Sequence, residues 1–513
     1  MKRASLISQG TLHRILQEVN EAWKRCDFQA AIEQMESVSR RDPGNAGVLL
    51  DLGKMHGLRY DYAAAERCFE KALRITGQKT EILIAAGQQS LTFNHFALAE
   101  GYLKRALERN DGTPAAMVKL GEIYERQRRT EEAFTLVDRA LQADGACPPA
   151  LLLRSRLDRQ AGRLEAAEQR LRTFPANAEV ALRASAQYEL GGILDRQGRY
   201  DEAMTAFMEA KALLQPQAAR PAHELKVMRA RIQHMTTNAT EEVLQNWFEA
   251  SAQLQPPRRL ALLGGHPRSG TTLLEQVLDA HPDMVSAEET EIFQKDAFGP
   301  LLRGHPDDTA MFSALATATT GTLQQARQKY FRAMELSLGQ ALGGRLLIDK
   351  NPSYTFLVPA LIRCFPEMTF LIALRDPRDV VLSCFMQDLP LNQVAAAFLT
   401  LSSSTEDYAA LMGVWQMIKP RMANPYLEVR YEDMVEDLES VARKTLGFLG
   451  VPWDAKVLGF DQHAREKVVR SPTYADVTQP VYKRAVGRWR NYQKYLEPHL
   501  EKLEPFVKAF GYE

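Results

Sequence analysis

The sequence has few cysteines, no excess of charge of either sign and no long apolar run. Its five cysteines are scattered over 513 residues, which favours a reduced compartment over a disulfide framework. Lys plus Arg equals Asp plus Glu, at 64 each, so no overall electric field attracts nucleic acid or a membrane. No run of about 18 apolar residues occurs, and residues 1–13 lack the apolar core of a signal peptide. We therefore expect a cytoplasmic chain that binds neither nucleic acid nor membrane.

A 34-residue period runs through the first half of the chain, which is long enough for two or three domains. Alanines recur at this step, and glycines keep the same step in a second phase. These residues are Ala31, Ala65, Ala99, Ala133 and Ala167, and Gly53, Gly87 and Gly121. Small residues at fixed phases of this period are typical of tetratricopeptide repeats, which consist of two helices each. We expect a repeat array over residues 15–218 that presents a groove for a peptide or another protein.

Strands alternate with helices in the second half of the chain. Residues 219–257 contain three prolines and are interpreted as a helical connector, so the second domain covers residues 258–513. Short apolar segments near residues 260, 346, 369 and 426 alternate with helical patterns, which predicts an α/β domain with a parallel sheet. In open sheets of this kind, ligands bind beyond the carboxyl ends of the strands. The charged motifs of the domain follow these segments directly.

The first apolar segment leads into a glycine-containing loop, Gly-Gly-His-Pro-Arg-Ser-Gly-Thr-Thr. The spacing of Gly265 and Gly270 matches half of the phosphate-binding P-loop of nucleoside triphosphatases, in which backbone N–H groups at a helix start face a phosphate. That motif continues with Lys, but this chain has Thr271 there and carries its positive charge at Arg268. The absent Lys argues against an ATPase or a kinase.

The segment His-Pro-Arg-Ser-Gly-Thr-Thr resembles the 5′-phosphosulfate-binding loop of sulfotransferases, which use 3′-phosphoadenosine 5′-phosphosulfate (PAPS). Its continuation to Glu-Glu-Thr at 288–290 resembles the tyrosylprotein sulfotransferase branch. With its repeats, the chain resembles bacterial tetratricopeptide-repeat sulfotransferases, with a P-loop-like fold and no metal. The resemblance implies that the loop binds the cofactor through Arg268, Ser269, Gly270, Thr271 and Thr272.

A second motif resembles the 3′-phosphate-binding segment of the same family. Arg375 at the end of a predicted strand and Ser383 on the following helix are placed to reach one phosphate, and a planar guanidinium suits that dianion. The protein-sulfating branch has another Arg four residues beyond the Ser, where this chain has Gln387. Further cofactor contacts implied by the resemblance are Tyr431, Ser471 and Arg488.

Lys350 follows a predicted strand in Asp-Lys-Asn-Pro. The family has a Lys in a similar turn, where it contacts the sulfuryl and bridging oxygens. Sulfuryl transfer resembles phosphoryl transfer, with an in-line, loose transition state that is stabilised mainly by positioning and electrostatics. We therefore expect Arg268 and Lys350 to neutralise the leaving group without a metal.

The resemblance implies that Glu289 is the general base, because it occupies the position of the family's base in the Glu-Glu-Thr motif. A phenol or an alcohol acceptor needs such a base, because its hydroxyl must lose a proton. Two other interpretations stay open. Glu288 or Glu289 would pair with Arg268 and hold the loop, or a histidine, His266 or His281, would act as the base.

The sequence thus predicts a PAPS-dependent sulfotransferase that acts on a hydroxyl-bearing acceptor. A protein tyrosine held by the repeat groove is one candidate acceptor, and a saccharide or a small molecule is another. The family's peptide-recognising Arg after Glu-Glu-Thr is Glu291 here, which argues against the same acidic peptides. The alternatives are a non-catalytic repeat scaffold with a nucleotide-binding domain and a P-loop kinase.

Overall fold

The computed structural model describes residues 9–109, 113–254, 258–305, 309–466, 478, 481 and 483–513. The chain divides into two compact units. The first consists of Met1–Leu157, Ile292–Arg303 and Lys329–Gln340, and the second of Asp158–Glu291, Gly304–Gln328 and Ala341–Glu513. The predicted domain limits at residues 218 and 257 stay a prediction.

Twelve helices follow one another along the described part of residues 9–214. They are α1 (Gln9–Lys24), α2 (Phe28–Arg41), α3 (Ala46–Leu58), α4 (Tyr62–Thr76), α5 (Thr80–Thr92), α6 (Phe96–Glu108), α7 (Pro114–Arg126), α8 (Thr130–Ala143), α9 (Pro148–Gln160), α10 (Leu164–Arg172), α11 (Val180–Arg196) and α12 (Tyr200–Leu214). Their order confirms the predicted array of helix pairs.

The small residues of the 34-residue period lie where paired helices touch. In the first unit, the periodic alanines of α2, α4, α6 and α8 are completely buried. Gly53 in α3 faces Phe69 of α4, and a Cβ at this glycine would lie 2.4 Å from the ring. A larger side chain at these positions would push the helices apart, because packed interiors leave no room for it. The periodicity therefore reports close helix–helix contact.

The second unit contains a parallel sheet with the strand order β2-β3-β1-β4-β5 in the described residues. The strands are β1 (Leu260–Gly265), β2 (Met284–Glu288), β3 (Leu346–Lys350), β4 (Thr369–Leu374) and β5 (Tyr426–Arg430). β1 lies between β3 and β4, and all of its residues are buried. Such continuous apolar burial is typical of a parallel strand that is covered on both faces. The predicted α/β class is confirmed.

Further helices precede, separate and follow these strands along the described part of the chain. They are α13 (Ala219–Asn238), α14 (Glu241–Glu249), α15 (Thr271–Asp279), α16 (Gly299–Leu301), α17 (Ala310–Thr317), α18 (Thr320–Leu338), α19 (Val358–Cys364), α20 (Pro377–Phe385), α21 (Leu401–Ile418), α22 (Tyr431–Glu436), α23 (Leu438–Phe448), α24 (Phe460–Glu466), α25 (Gln493–Leu496) and α26 (Leu500–Ala509). Leucine and valine side chains of α15 and α23 share one core with β1 and β4. Wherever the structure describes a helix, that helix is too short or too polar to cross a membrane.

Gly265 ends β1 in a conformation that only glycine adopts readily. Its φ is +124°, and a Cβ there would lie 2.3 Å from the carbonyl oxygen of Ala373 on β4. We expect Gly265→Ala to destabilise the fold by about 2 kcal/mol or more, since both backbone strain and the clash with β4 oppose the new methyl group. Thermal unfolding of the purified variant measures this loss.

The matched control is Gly413→Ala in the middle of α21, where a Cβ would meet nothing within 4 Å. This change should stabilise the helix by about 0.5–1 kcal/mol. Equal unfolding midpoints for the two variants would contradict the steric role of Gly265.

Candidate active site

The predicted functional side chains meet at the carboxyl edge of the sheet. The loop after β1 carries Arg268, and Glu289 follows β2 directly. Lys350 is the last residue of β3, Arg375 follows β4, and Tyr431 follows β5. All five strands are parallel, so their carboxyl ends lie at one edge, as in other ligand-binding open sheets.

The loop after β1 is held in a fixed shape. The hydroxyl of Thr355 accepts a hydrogen bond from the Gly265 N–H at 2.8 Å and donates one to the Gly265 carbonyl at 2.9 Å. Arg268 and Gly270 both have positive φ, of +72° and +89°. Gly270 also has no room for a side chain, because a Cβ would lie 2.6 Å from the Tyr431 ring. These contacts and backbone angles fix the shape of the loop. The helix α15 follows the loop directly, and its first N–H groups have no partner within the helix.

Arg268, Ser383 and Arg375 are brought together. The Arg268 Nε donates to the Ser383 hydroxyl at 3.0 Å, and Arg375 donates to the Arg268 carbonyl at 3.2 Å. The Arg375 guanidinium lies 5.1 Å from the centre of the Tyr431 ring and also donates to the Ala485 carbonyl.

The Arg375 Nε is a buried donor without a hydrogen-bond partner among the described residues. Buried donors in native structures are nearly always satisfied, so each exception needs an explanation. An anionic oxygen is the natural acceptor for this N–H, since hydrogen bonds between a guanidinium and a phosphate are strong and directional. The residues around Arg375 thus fit a phosphate group.

Lys350 is fully buried in a cluster with three carboxylates. Its ammonium lies 2.7 Å from Glu289, 3.3 Å from Glu275 and 3.8 Å from Glu288. Burial alone would lower the pKa of Lys350, but the three carboxylates outweigh burial and raise it. Lys350 therefore keeps its positive charge at neutral pH.

Glu289 is the member of this cluster that reaches solvent, with 39% of its side chain exposed. Its backbone N–H donates to the Lys350 carbonyl at 2.7 Å, and its φ is +47°. This conformation is uncommon for a residue with a side chain and is enriched at functional sites. Glu289 thus combines a partly exposed side chain with a carboxylate that accepts a hydrogen bond from the buried Lys350 ammonium at 2.7 Å.

Glu275 was missed by the sequence analysis. It lies on α15, is completely buried and accepts a hydrogen bond from the Ser286 hydroxyl at 2.8 Å. The available signal was its position, four residues after Thr271, because residues at this spacing lie on the same face of a helix. A charged residue on a face that packs against the sheet needs a buried partner, and Lys350 is that partner.

The segment near residue 488 is attached to α20 and to a repeat helix of the same unit. Asp379 accepts hydrogen bonds from the backbone N–H groups of Gly487 and Trp489, both at 2.7 Å. The Arg488 side chain forms an ion pair with Asp195 of α11 at 2.8 Å, and the Tyr492 hydroxyl donates to the same carboxylate. Arg488, predicted to bind the cofactor, thus has a protein carboxylate as its partner. Ser471 lies outside the described residues.

Both histidines considered as bases have structural partners. His266 is fully buried, with Nδ1 donating to the Pro267 carbonyl at 2.9 Å and Nε2 lying 3.5 Å from Asp407. Burial would lower the pKa of His266, but Cys384 and Asp407 raise it to about 10, so the ring keeps its protons. His281 Nε2 donates to the Pro452 carbonyl at 2.9 Å, and its other nitrogen accepts the Asp283 N–H. These contacts favour a structural role for both rings.

Comparisons with known proteins agree with this architecture. Residues 261–455 match the Sulfotransferase family, and residues 46–78, 84–148 and 152–220 match tetratricopeptide repeats. The chain is 26% identical over 340 residues to an uncharacterized protein of Aquifex aeolicus, an alignment that covers 64% of this chain and 42% of the relative. It is 29% identical over 269 residues to protein-tyrosine sulfotransferase 1 of Danio rerio, which covers 50% of this chain and 72% of the relative.

The sulfotransferase domain of the Synechococcus PCC 7002 olefin synthase aligns with a TM-score of 0.36 and 22% identity. This alignment covers 49% of the chain and 95% of that domain. The chain spans less than half of the length of the Aquifex aeolicus relative. The matched segment 261–455 contains the loop after β1, the Lys350 cluster and the Arg375 segment.

Proposed function

We propose that this chain transfers a sulfuryl group from PAPS to a hydroxyl acceptor. It is an enzyme whose sulfotransferase domain lies C-terminal to its tetratricopeptide repeats. The buried Arg375 Nε carries this proposal, because it is a donor in need of an anionic acceptor beside the loop after β1. Matches to the Sulfotransferase family and to protein-tyrosine sulfotransferases support it.

Two groups of residues would hold the two ends of the donor. The N–H groups of Gly270, Thr271 and Thr272, together with the Arg268 side chain, would bind the 5′ end. Ser269 would contribute its hydroxyl, since its own N–H donates to the His266 carbonyl at 3.2 Å. Arg375 and Ser383 bind the 3′-phosphate, and their contacts with Arg268 keep both groups in one arrangement. Tyr431 contributes its ring, which already packs against Arg375. Because these proposed ligands are N–H groups, hydroxyls and guanidinium groups, we expect the donor to bind without a divalent metal.

Lys350 supplies positive charge where negative charge develops during transfer. The donor contributes the sulfuryl group, and charge accumulates on the oxygens of its leaving phosphate, as in phosphoryl transfer. Lys350 is already charged and fixed by its three carboxylates. A preorganised charge of this kind stabilises a transition state without the cost of reorientation.

Glu289 accepts the proton of the acceptor hydroxyl. Its carboxylate is the exposed member of the Lys350 cluster, so it can contact an acceptor and the lysine at once. The pairing of Glu289 with Lys350 at 2.7 Å joins the proton acceptor to the group that stabilises the leaving phosphate. The group that takes the acceptor proton and the group that stabilises the leaving phosphate thereby belong to a single cluster.

The acceptor carries a hydroxyl group, and a protein tyrosine is one candidate. The repeat helices and the relatives named protein-tyrosine sulfotransferases support a protein acceptor. Glu291 is exposed. It occupies the position at which the tyrosylprotein sulfotransferase branch has an Arg that recognises acidic peptides. This reversal of charge favours an acceptor without acidic flanks, and a saccharide or small-molecule hydroxyl fits the same site.

Arg375→Ala should weaken the binding of nucleotides that carry a 3′-phosphate and leave the binding of nucleotides without one nearly unchanged. A charge-assisted hydrogen bond contributes about 1.5–3 kcal/mol, so the affinity for adenosine 3′,5′-bisphosphate should fall about ten-fold or more. The affinity for adenosine 5′-monophosphate should change less than about three-fold. Isothermal calorimetry with both nucleotides on each protein measures the difference.

Arg378→Ala is the matched control, since Arg378 lies in the same turn but pairs with Asp376 and packs on Trp489. It should leave the ratio of the two affinities unchanged. If Arg375→Ala weakens the binding of both nucleotides equally, then Arg375 supports the fold through its hydrogen bonds to Arg268 and Ala485 and does not recognise the 3′-phosphate.

A further inference from the structure

A buried ion cluster within the second unit includes the first residue of the loop after β1. This residue is His266, and its Nε2 lies 3.5 Å from the carboxylate of Asp407 on α21. Both residues are buried. The other oxygen of Asp407 forms an ion pair with Arg229 of α13. A guanidinium and an imidazole ring thus share one carboxylate.

The contacts of the His266 ring favour a proton on both nitrogens. Nδ1 donates to the Pro267 carbonyl at 2.9 Å, so a neutral ring would have an unprotonated Nε2 beside the Asp407 carboxylate. Two groups that only accept hydrogen bonds would then be buried next to each other, which is costly. Among the described residues, none donates a hydrogen bond to Nε2. A second proton removes this conflict and makes the ring an imidazolium.

The groups around the ring agree with this charge. Burial lowers the pKa of His266, whereas Cys384 of α20 and Asp407 raise it to about 10. The Cys384 thiol lies 3.8 Å from Nδ1, and the centre of the Tyr408 ring lies 5.0 Å from that of the imidazole. The Tyr408 phenol stays neutral, because burial raises its pKa. His266 is therefore charged throughout the neutral pH range.

The ring is attached to both phosphate motifs. The Pro267 carbonyl accepts hydrogen bonds from His266 Nδ1 and, at 3.5 Å, from Cys384 Sγ. Pro267 directly precedes Arg268. Cys384 directly follows Ser383, whose hydroxyl accepts a hydrogen bond from Arg268. His266 thus holds the planar peptide that leads into Arg268, at the place where the loop meets α20.

We propose that His266 is a positioning residue of the loop after β1, which as an imidazolium fixes the Pro267 carbonyl and adds a positive charge behind the phosphate-binding N–H groups. This inference rests on the proposed function. Asp407 carries one negative charge and is shared by two cations, Arg229 and His266, so the cluster keeps one positive charge. The Cα atoms of His266 and Arg268 are at most about 8 Å apart, because consecutive Cα atoms are about 3.8 Å apart. At this range the charge strengthens the binding of a 5′-phosphosulfate.

His266→Asn removes the charge and keeps an amide that can donate to the Pro267 carbonyl. One charge acting over about 10 Å at an effective dielectric constant of about 20 changes an affinity about ten-fold. Isothermal calorimetry on the full chain should show this loss for adenosine 3′,5′-bisphosphate, but a loss of less than about three-fold for adenosine 3′-monophosphate, which lacks the 5′-phosphate. The matched control is His281→Asn, since His281 is a buried ring with backbone partners. It should leave the ratio of the two affinities unchanged.

The pH dependence of a second variant tests the charge of the ring. In Asp407→Asn the ring stays buried but loses its carboxylate, so its pKa falls. The affinity of this variant for adenosine 3′,5′-bisphosphate, relative to that of the unmodified chain, should therefore fall as the pH rises from about 6 to about 8. Asp279→Asn removes the partner of another histidine, His463, at 2.8 Å, and should show no such fall.

NMR of the unmodified chain labelled with ¹⁵N-histidine measures the protonation of His266 without any variant or nucleotide. Both ring nitrogens should be protonated at about pH 8, where a histidine with the usual pKa of about 6.5 is neutral. A neutral ring, equal losses for both nucleotides in His266→Asn, or a relative affinity of Asp407→Asn that is constant with pH would each overturn this inference alone. If the unmodified chain does not bind adenosine 3′,5′-bisphosphate, the proposed function fails, and this inference fails with it.

Discussion

Glu289→Gln is expected to lower the turnover number about 100-fold or more, while the affinity for nucleotides stays within a few-fold. The amide keeps an oxygen that accepts the hydrogen bond from Lys350, but it cannot take up a proton. General bases contribute about 10²–10⁴-fold to catalysis. A loss in turnover without a loss in affinity is the signature of a group that acts only in the transition state. Steady-state kinetics with PAPS and calorimetry with adenosine 3′,5′-bisphosphate measure the two effects.

Glu288→Gln is the matched control for this experiment. Glu288 precedes Glu289 directly but is buried, and it lies farther from Lys350, at 3.8 Å. Its replacement should change turnover much less. If Glu289→Gln instead weakens nucleotide binding as much as it slows turnover, Glu289 is a structural partner of Lys350 and the base is another residue.

Lys350→Met is expected to destabilise the second unit by about 3–5 kcal/mol at neutral pH. Removal of one partner from a buried ion pair leaves an uncompensated charge, and here three carboxylates would lose their common cation. Because the pKa of Lys350 is raised in the folded protein, its contribution is complete below the usual lysine pKa of about 10.4 and is lost only at higher pH. Thermal unfolding at pH 7 measures the loss.

A second substitution separates charge from packing. Addition of Glu275→Gln to Lys350→Met should restore part of the stability, since it removes one buried charge. A Lys350→Met protein as stable as the unmodified one at pH 7 would contradict this account of the cluster.

Local patterns predicted the parts of the fold that depend on steric fit between near neighbours. The alanine and glycine phases predicted the repeat helices, because positions such as Gly53 lie against a large ring of the paired helix. The strand–loop–helix register around Gly265 and Gly270 follows from the lack of space at both glycines. The positions of Arg375 at a strand end and of Ser383 on the next helix were expected from the same alternation of strands and helices.

Such patterns do not predict contacts between side chains that are far apart in the sequence. In the sequence, Glu275 looks like an ordinary residue of an amphipathic helix. Only the position of β3 in the fold brings Lys350 into contact with it. The ion pair of Arg488 with Asp195, 293 residues away, had no signal in the sequence, while its predicted contact with the cofactor stays a prediction. Tertiary packing alone creates these environments.

Calorimetric titration with adenosine 3′,5′-bisphosphate and with ATP, each in the presence of EDTA, tests the central claim most directly. The proposed phosphate ligands are the N–H groups of the loop after β1, the Ser383 hydroxyl and the side chains of Arg268 and Arg375, so binding should not require a divalent metal. The account predicts that adenosine 3′,5′-bisphosphate binds at least about ten-fold more tightly than ATP, because only it engages Arg375 through a 3′-phosphate. Binding that disappears in EDTA, or a preference for ATP, would contradict it.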